Sequence, residues 1–124
     1  MARTVKITCG KIYLTAELDD SPTAQAIWKA LPLRGRANRW GDEIYFTIPL
    51  ELPAEKGARQ DMEMGELGYW PQGPAFCIFF GPTPVSAGDK PRAYSPVNPF
   101  GRVLGDATAL RAVADGEPVV VERA

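Results

Sequence analysis

The chain has 124 residues, 45% of them apolar and 23% charged, the composition of one globular domain that buries a core without help from a metal or disulfide. A formal net charge of -1 excludes the broad basic surface of a general nucleic-acid or membrane-surface binder. Histidine is absent, which removes the commonest general base and the commonest metal ligand together.

Val5, Ile7 and Cys9 alternate with Lys6 and Thr8, the period of a half-buried strand. A turn at Cys9-Gly10-Lys11 leads into a second strand, in which Ile12, Leu14, Ala16 and Leu18 alternate, so the pair reads as a hairpin. Ser21-Pro22 reads as a helix start, with Ser21 as N-cap and Pro22 in the first helical position. Ala24, Ile27, Trp28 and Leu31 then form one apolar helical stripe, which Pro32 ends. The run LRGRANRWGDE reads as a loop carrying Arg34, Arg36 and Arg39 beside Trp40. Ile44, Phe46 and Ile48 alternate as a strand that Pro49 ends, and Glu51 to Glu66 read as a long loop or short edge strand.

GYWPQGPAFCIFFG gives a short strand at Leu67 to Trp70, a turn at Pro71-Gln72-Gly73 and a strand from Ala75 to Phe80. That last strand is apolar on both faces and needs both covered, one filling a closed barrel and the other meeting a helix. Gly81 to Pro99 reads as a long proline-rich connection, and FGRVLGD as another strand. Asp106 caps a second helix that buries Ala107, Leu110, Val113 and Ala114 and stops at Asp115-Gly116; Val119 to Val121 form a closing strand. Many short strands without regular βαβ alternation indicate a mainly β protein: a single domain, residues 1–124, built as a closed, mostly antiparallel barrel capped by two helices. Cys9 and Cys77 lie inside apolar strands and read as buried, reduced thiols. No leader pattern opens the chain and no apolar run approaches ~18 residues, so the expected location is cytoplasmic.

Three segments resemble a cyclophilin, in the right order and over most of the chain. LDDSPTAQAIWKAL is similar to the segment that starts the first cyclophilin helix. GYWPQGPAFCIFFG stands where cyclophilins carry N-G-S-Q-F-F-I, and NPFGRVLGDATALRAV resembles the late F-G-x-V-x-x-G segment. The short length and the WGDE-Y and GYWP runs are more similar still to small prokaryotic cyclophilin-like proteins of unknown function. The resemblance implies the barrel fold and raises prolyl isomerisation as an activity. Cyclophilin isomerases use an arginine near the prolyl amide and an aromatic pocket for the proline ring. Here the F-H-R-V run that carries that arginine is missing, leaving Arg36 and Arg39 as the nearest candidates. The Q-F-F positions fall on Ala75, Phe76 and Cys77, and no histidine is present, so weak or absent isomerase activity is expected.

Three arginines and Asn38 within six residues, next to Trp40, form the sharpest polar cluster. Guanidinium groups suit carboxylate or phosphate, and Trp stacks on a flat group; the plain alternative is a solvated loop whose arginines pair with Asp42 or Glu43. Tyr69, Trp70 and Phe76 are candidates for the floor of a cleft, or simply core. Phe100 and Arg102 are candidates for one more wall and cation, or for strand and turn. There is no P-loop and no dinucleotide fingerprint, and without His no Ser-His-Asp or Cys-His arrangement exists. Asp61, Glu63 and Glu66 read as a solvated face rather than a metal site. The expectation is therefore a non-catalytic binding module without a cofactor. Its cleft, lined by Arg36, Arg39, Trp40, Tyr69, Trp70, Phe76, Phe100 and Arg102, would hold a small anionic molecule or an extended peptide segment. A divergent prolyl isomerase is the alternative, and a subunit or regulator of an amide-hydrolase-type assembly a further one.

Overall fold

Alternation in the first eighteen residues produces an antiparallel hairpin of β1 (Arg3–Cys9) and β2 (Ile12–Leu18), turned at Gly10 with φ +59°. The computed structural model describes residues 3–124; the first two residues of the expected domain lie outside it. Helix α1 (Pro22–Ala30) follows, with Ser21 Oγ accepting from the Ala24 amide at 3.1 Å and Pro22 opening its first turn. Eight more strands complete the sheet: β3 (Leu33–Arg36), β4 (Asn38–Arg39), β5 (Glu43–Thr47), β6 (Arg59–Asp61), β7 (Glu66–Trp70), β8 (Ala75–Phe79), β9 (Arg92–Leu104) and β10 (Pro118–Arg123). Every pairing is antiparallel, in the order β3-β10-β1-β2-β9-β7-β8-β5-β4, with β6 beside β9.

The sheet differs from the expected closed barrel. Its end strands β3 and β4 are joined through Ala37, and no ladder pairs them among the described residues. The ends are drawn together by packing instead: a β-carbon at Gly35 would sit 2.7 Å from the ring of Phe46 on β5. This close approach explains why the LRGRANRWGDE segment is largely strand rather than loop. Leu33 and Ala37 are buried with Gly35 between them, so a period-two pattern is present, but glycine at the middle inward position hides it.

The main core lies on one face of the sheet. Val5, Ile7, Phe46, Tyr69, Phe76, Ile78, Phe100 and Val121 meet there with Ala24 and Ile27 of α1. The other face of β8 carries Ala75, Cys77 and Phe79, which pack with Met62, Ala93 and Val97 in a second, smaller core. Thus the doubly apolar strand is covered on both sides, but its second cover is the β6 region and the start of β9 rather than a helix. This also corrects the boundary of the proline-rich connection: β9 already begins at Arg92. Its Pro96 and Pro99 are accommodated near a register jump, where Leu67 pairs Gly101 and Gly68 pairs Pro99. The expected second helix is a six-residue 3-10 helix, Ala107–Ala112, capped by Asp106 and burying Ala107 and Leu110; Ala114 is exposed. No helix of the described residues is long and apolar enough to cross a membrane.

Two polar contacts pin the irregular segment after β5. Tyr69 is fully buried, yet its hydroxyl donates to the Leu50 carbonyl at 2.7 Å and accepts from the Leu52 amide at 2.9 Å. Buried Asn98 accepts from the Glu55 amide and donates to Thr23 Oγ1 and the Pro53 carbonyl, tying α1, this segment and β9 together.

Cys9 and Cys77 are both free and buried. Burial, with Glu117 second, raises the Cys9 thiol to about 11, and burial pushes Cys77 well above its ordinary value. At pH 8 the native protein should therefore react with a thiol reagent far more slowly than the urea-unfolded chain. Equal native and unfolded labelling rates at both positions would contradict this packing.

Candidate functional site

The sequence Trp40-Gly41-Asp42-Glu43 closes a two-residue hairpin between β4 and β5. The Trp40 amide donates to the Glu43 carbonyl at 3.0 Å, and the Glu43 amide returns the bond at 3.2 Å. Gly41 takes φ +60° at the first central position, as a type II′ turn requires. Residues that flank such a turn stand opposite each other with side chains on the same face, so Trp40 and Glu43 are neighbours by local geometry alone. Strand alternation then adds Tyr45 to that face, while Ile44 and Phe46 enter the main core.

The neighbouring strands complete the site. Cys77 on β8 lies opposite Tyr45, and Trp70 on β7 lies opposite Ala75. The start of β9 brings Ala93, Tyr94 and Val97 across this face, and together these residues line a pocket of about 170 Å³. Four aromatic rings form an unbroken edge-to-face series around it: Trp40 to Tyr94 at 6.0 Å, Tyr94 to Trp70 at 6.1 Å and Trp70 to Tyr45 at 6.4 Å. Tyr94 is 68% exposed, which puts it at the mouth. The Trp70 indole N–H donates to Ser95 Oγ at 2.7 Å, fixing that ring.

Glu43 is the one carboxylate lining this pocket, and it is only 5% exposed. Burial pushes its carboxyl up to about 7, and a hydrogen bond with the Cys77 thiol acts in the opposite direction to a smaller extent. Among the described residues it has no basic partner. The nearby cations Arg39 and Arg111 are both paired with Asp42, and Arg59, Lys90 and Arg92 hold Glu66, Glu63 and Asp61.

Of the residues singled out in the sequence, Trp40 and Trp70 meet in this pocket. The others go elsewhere. Tyr69, Phe76 and Phe100 are fully buried in the main core and do not line the pocket. Arg36 is exposed and donates to the Gly116 carbonyl at 3.0 Å. Arg39 spends its guanidinium on the carbonyls of Gly41, Arg111 and Val113 and on Asp42, with its Cζ 5.1 Å from the centre of the Phe80 ring. Arg102 lies in a separate surface depression with Glu17, Asp19, Glu63 and Glu66. The acidic trio Asp61, Glu63 and Glu66 is engaged in the ion pairs just named. Glu43, Tyr45 and Tyr94 were absent from the sequence expectation; the turn geometry of W-G-D-E and the alternation to Tyr45 are the signal that points to the first two.

Comparison with known proteins agrees with this architecture. Residues 3–122 match the family described as Cyclophilin-like. The solution structure of a hypothetical protein from Archaeoglobus fulgidus is similar, with 42% sequence identity and a TM-score of 0.82 over 99% of this chain and 95% of that one. No curated protein matches.

Proposed function

The chain belongs to the cyclophilin-like family, and from that premise we propose that it is a non-catalytic binding module whose ligand sits among Trp40, Glu43, Tyr45, Trp70 and Tyr94. The observation that carries this reading is the continuous set of four aromatic rings around an open pocket with a single buried carboxylate. Small-molecule sites have this character: mostly apolar and aromatic walls with a few placed polar groups. At about 170 Å³ the pocket is of the size that holds a benzene-sized group.

The isomerase alternative needs an arginine directed at the prolyl amide. Neither Arg36 nor Arg39 lines the pocket, and the donors of Arg39 are committed to backbone carbonyls and Asp42. The expected result in a prolyl peptide assay is the uncatalysed rate, with relaxation over tens to hundreds of seconds. Acceleration of ~100-fold, easily seen on that timescale, would replace the binding reading with the enzymatic one.

The three tryptophans provide a direct test of the site. Trp28 lies beneath the Arg123 guanidinium at 4.4 Å, outside the pocket, and serves as an internal control. In an NMR screen with small neutral and charged fragments, hits should move the indole N–H signals of Trp40 and Trp70 and leave Trp28 in place. Hits that move only residues around Arg102, or a screen without hits at either indole, would overturn the assignment.

A further inference from the structure

We propose that the pocket is selective for a small alkylated ammonium ion, with the Glu43 carboxylate as its counter-charge and the Trp40, Tyr45, Trp70 and Tyr94 rings as its walls. This rests on the binding reading above and reverses the charge of the ligand expected from the sequence. Three features carry it.

The first is the sign of the site. Among the described residues no Lys or Arg lines the pocket, and the one Asp or Glu that does is Glu43. An anion placed there would meet the Glu43 carboxylate, whereas a cation is attracted by a carboxylate and by aromatic rings alike.

The second is an unmatched charge. A carboxylate this deeply buried is ordinarily paired or hydrogen-bonded. Glu43 has no basic partner among the described residues; the side chain that hydrogen-bonds it is the neutral Cys77 thiol, which leaves its charge without a counter-ion. Cys77 from β8, Tyr45 from its own strand, Tyr94 from β9 and Trp70 from β7 line the pocket with it, whereas Asp42 on the adjoining turn is taken up by Arg39 and Arg111. A bound cation supplies the missing partner.

The third feature decides between a bare and an alkylated ammonium. A primary ammonium brings three N–H donors and a tightly held water shell, so it needs several acceptors. Beyond Glu43 the walls are mainly carbon, with Cys77, Ala93 and Val97 beside the rings. A methylated nitrogen has few or no donors to satisfy and presents carbon to those walls, so it loses little on entering.

The test compares choline with 3,3-dimethylbutan-1-ol, its uncharged carbon isostere, by isothermal titration and by the Trp40 and Trp70 indole signals. Choline and tetramethylammonium are expected to bind at least tenfold more tightly than the isostere, with acetate and benzoate weaker still. Glu43→Gln should remove most of the preference for choline over the isostere. Equal binding of choline and isostere at both indoles would overturn the charge selectivity but leave the pocket as the binding site. Tighter binding of benzoate would likewise refute the cation. If none of these probes moves either indole while a fragment of another class does, the ammonium proposal fails alone. If no ligand of any class reaches the indoles, the binding reading fails with it.

Discussion

Phe76→Ala should lower the unfolding free energy by about 3–5 kcal/mol, against a total of ~5–15 kcal/mol for a typical domain. Phe76 points from β8 into the main core and is fully buried. Its ring lies 5.3 Å from Phe46 on β5 and 5.0 Å from Phe100 on β9, the second contact edge-to-face. Truncation therefore leaves a cavity and breaks two aromatic contacts, each worth ~0.5–1.5 kcal/mol beyond its buried area. The surrounding strands are fixed by ladders on both sides of β8, so the cavity has little room to collapse. Urea unfolding of Phe76→Ala and Phe76→Leu gives the check, the leucine retaining most of the volume and most of the stability. A loss below ~1 kcal/mol for the alanine variant would place β8 at the periphery and contradict the packing.

Most of the strands were legible because their inward residues are apolar and alternate. Val5, Ile7 and Cys9, or Ile44, Phe46 and Ile48, announce themselves by period alone. What escaped had a specific physical cause. At Gly35 the inward position is filled by a neighbour's ring, so the β3 pattern contains no large residue to count. In β9, Pro96 and Pro99 mark a connection by composition, yet the bulge beside β7 lets the strand continue through them. That the end strands β3 and β4 approach by packing without pairing is a matter of tertiary contact, which no local pattern encodes.

The candidate site divides in the same way. Trp40 and Trp70 stand out in the sequence as aromatics in polar or turn-rich surroundings, and they do meet. The arginines were selected for their charge, but charge says nothing about direction: Arg39 turns to backbone carbonyls and Asp42. In the alternative of a solvated loop, the sequence offers Glu43 to those arginines as an ion-pair partner. Its place directly across a two-residue turn from Trp40 assigns it to the opposite role, and Asp42, at the tip of the turn, takes the arginines instead. The WGDE-Y and GYWP runs that carry the family resemblance thus contain Trp40, Glu43, Tyr45 and Trp70, four of the residues around the pocket. Ala93, Tyr94 and Val97 come from a stretch with no such signal, because they reach the site through the long-range pairing of β9.

Glu43→Gln should change the pH dependence of stability by about 3 kcal/mol between pH 4 and pH 8, the free energy of a shift from 4.5 to about 7. The sign follows from proton binding. Between those two values the native state holds a proton on Glu43 that the unfolded chain has released, so stability falls as pH rises. Below pH 4.5 both states are protonated and the group contributes no pH dependence; above about 7 the native carboxylate is ionised in its buried pocket and the full cost is present. Glutamine carries no titratable proton and removes this slope. Any constant cost of seating its amide cancels when each protein is compared with itself at the two pH values, and the remaining titrations are common to both. Urea unfolding at pH 4, 6 and 8 should therefore show wild type losing ground to the variant across this window. Parallel curves would mean that the Glu43 carboxylate ionises as an exposed one does, and the unmatched buried charge would no longer favour a cation. The same titration sets the behaviour of the ligand site: an ammonium ion that needs the ionised form should bind about tenfold or more weakly at pH 5.5 than at pH 8.5, with a proton released on binding near neutrality.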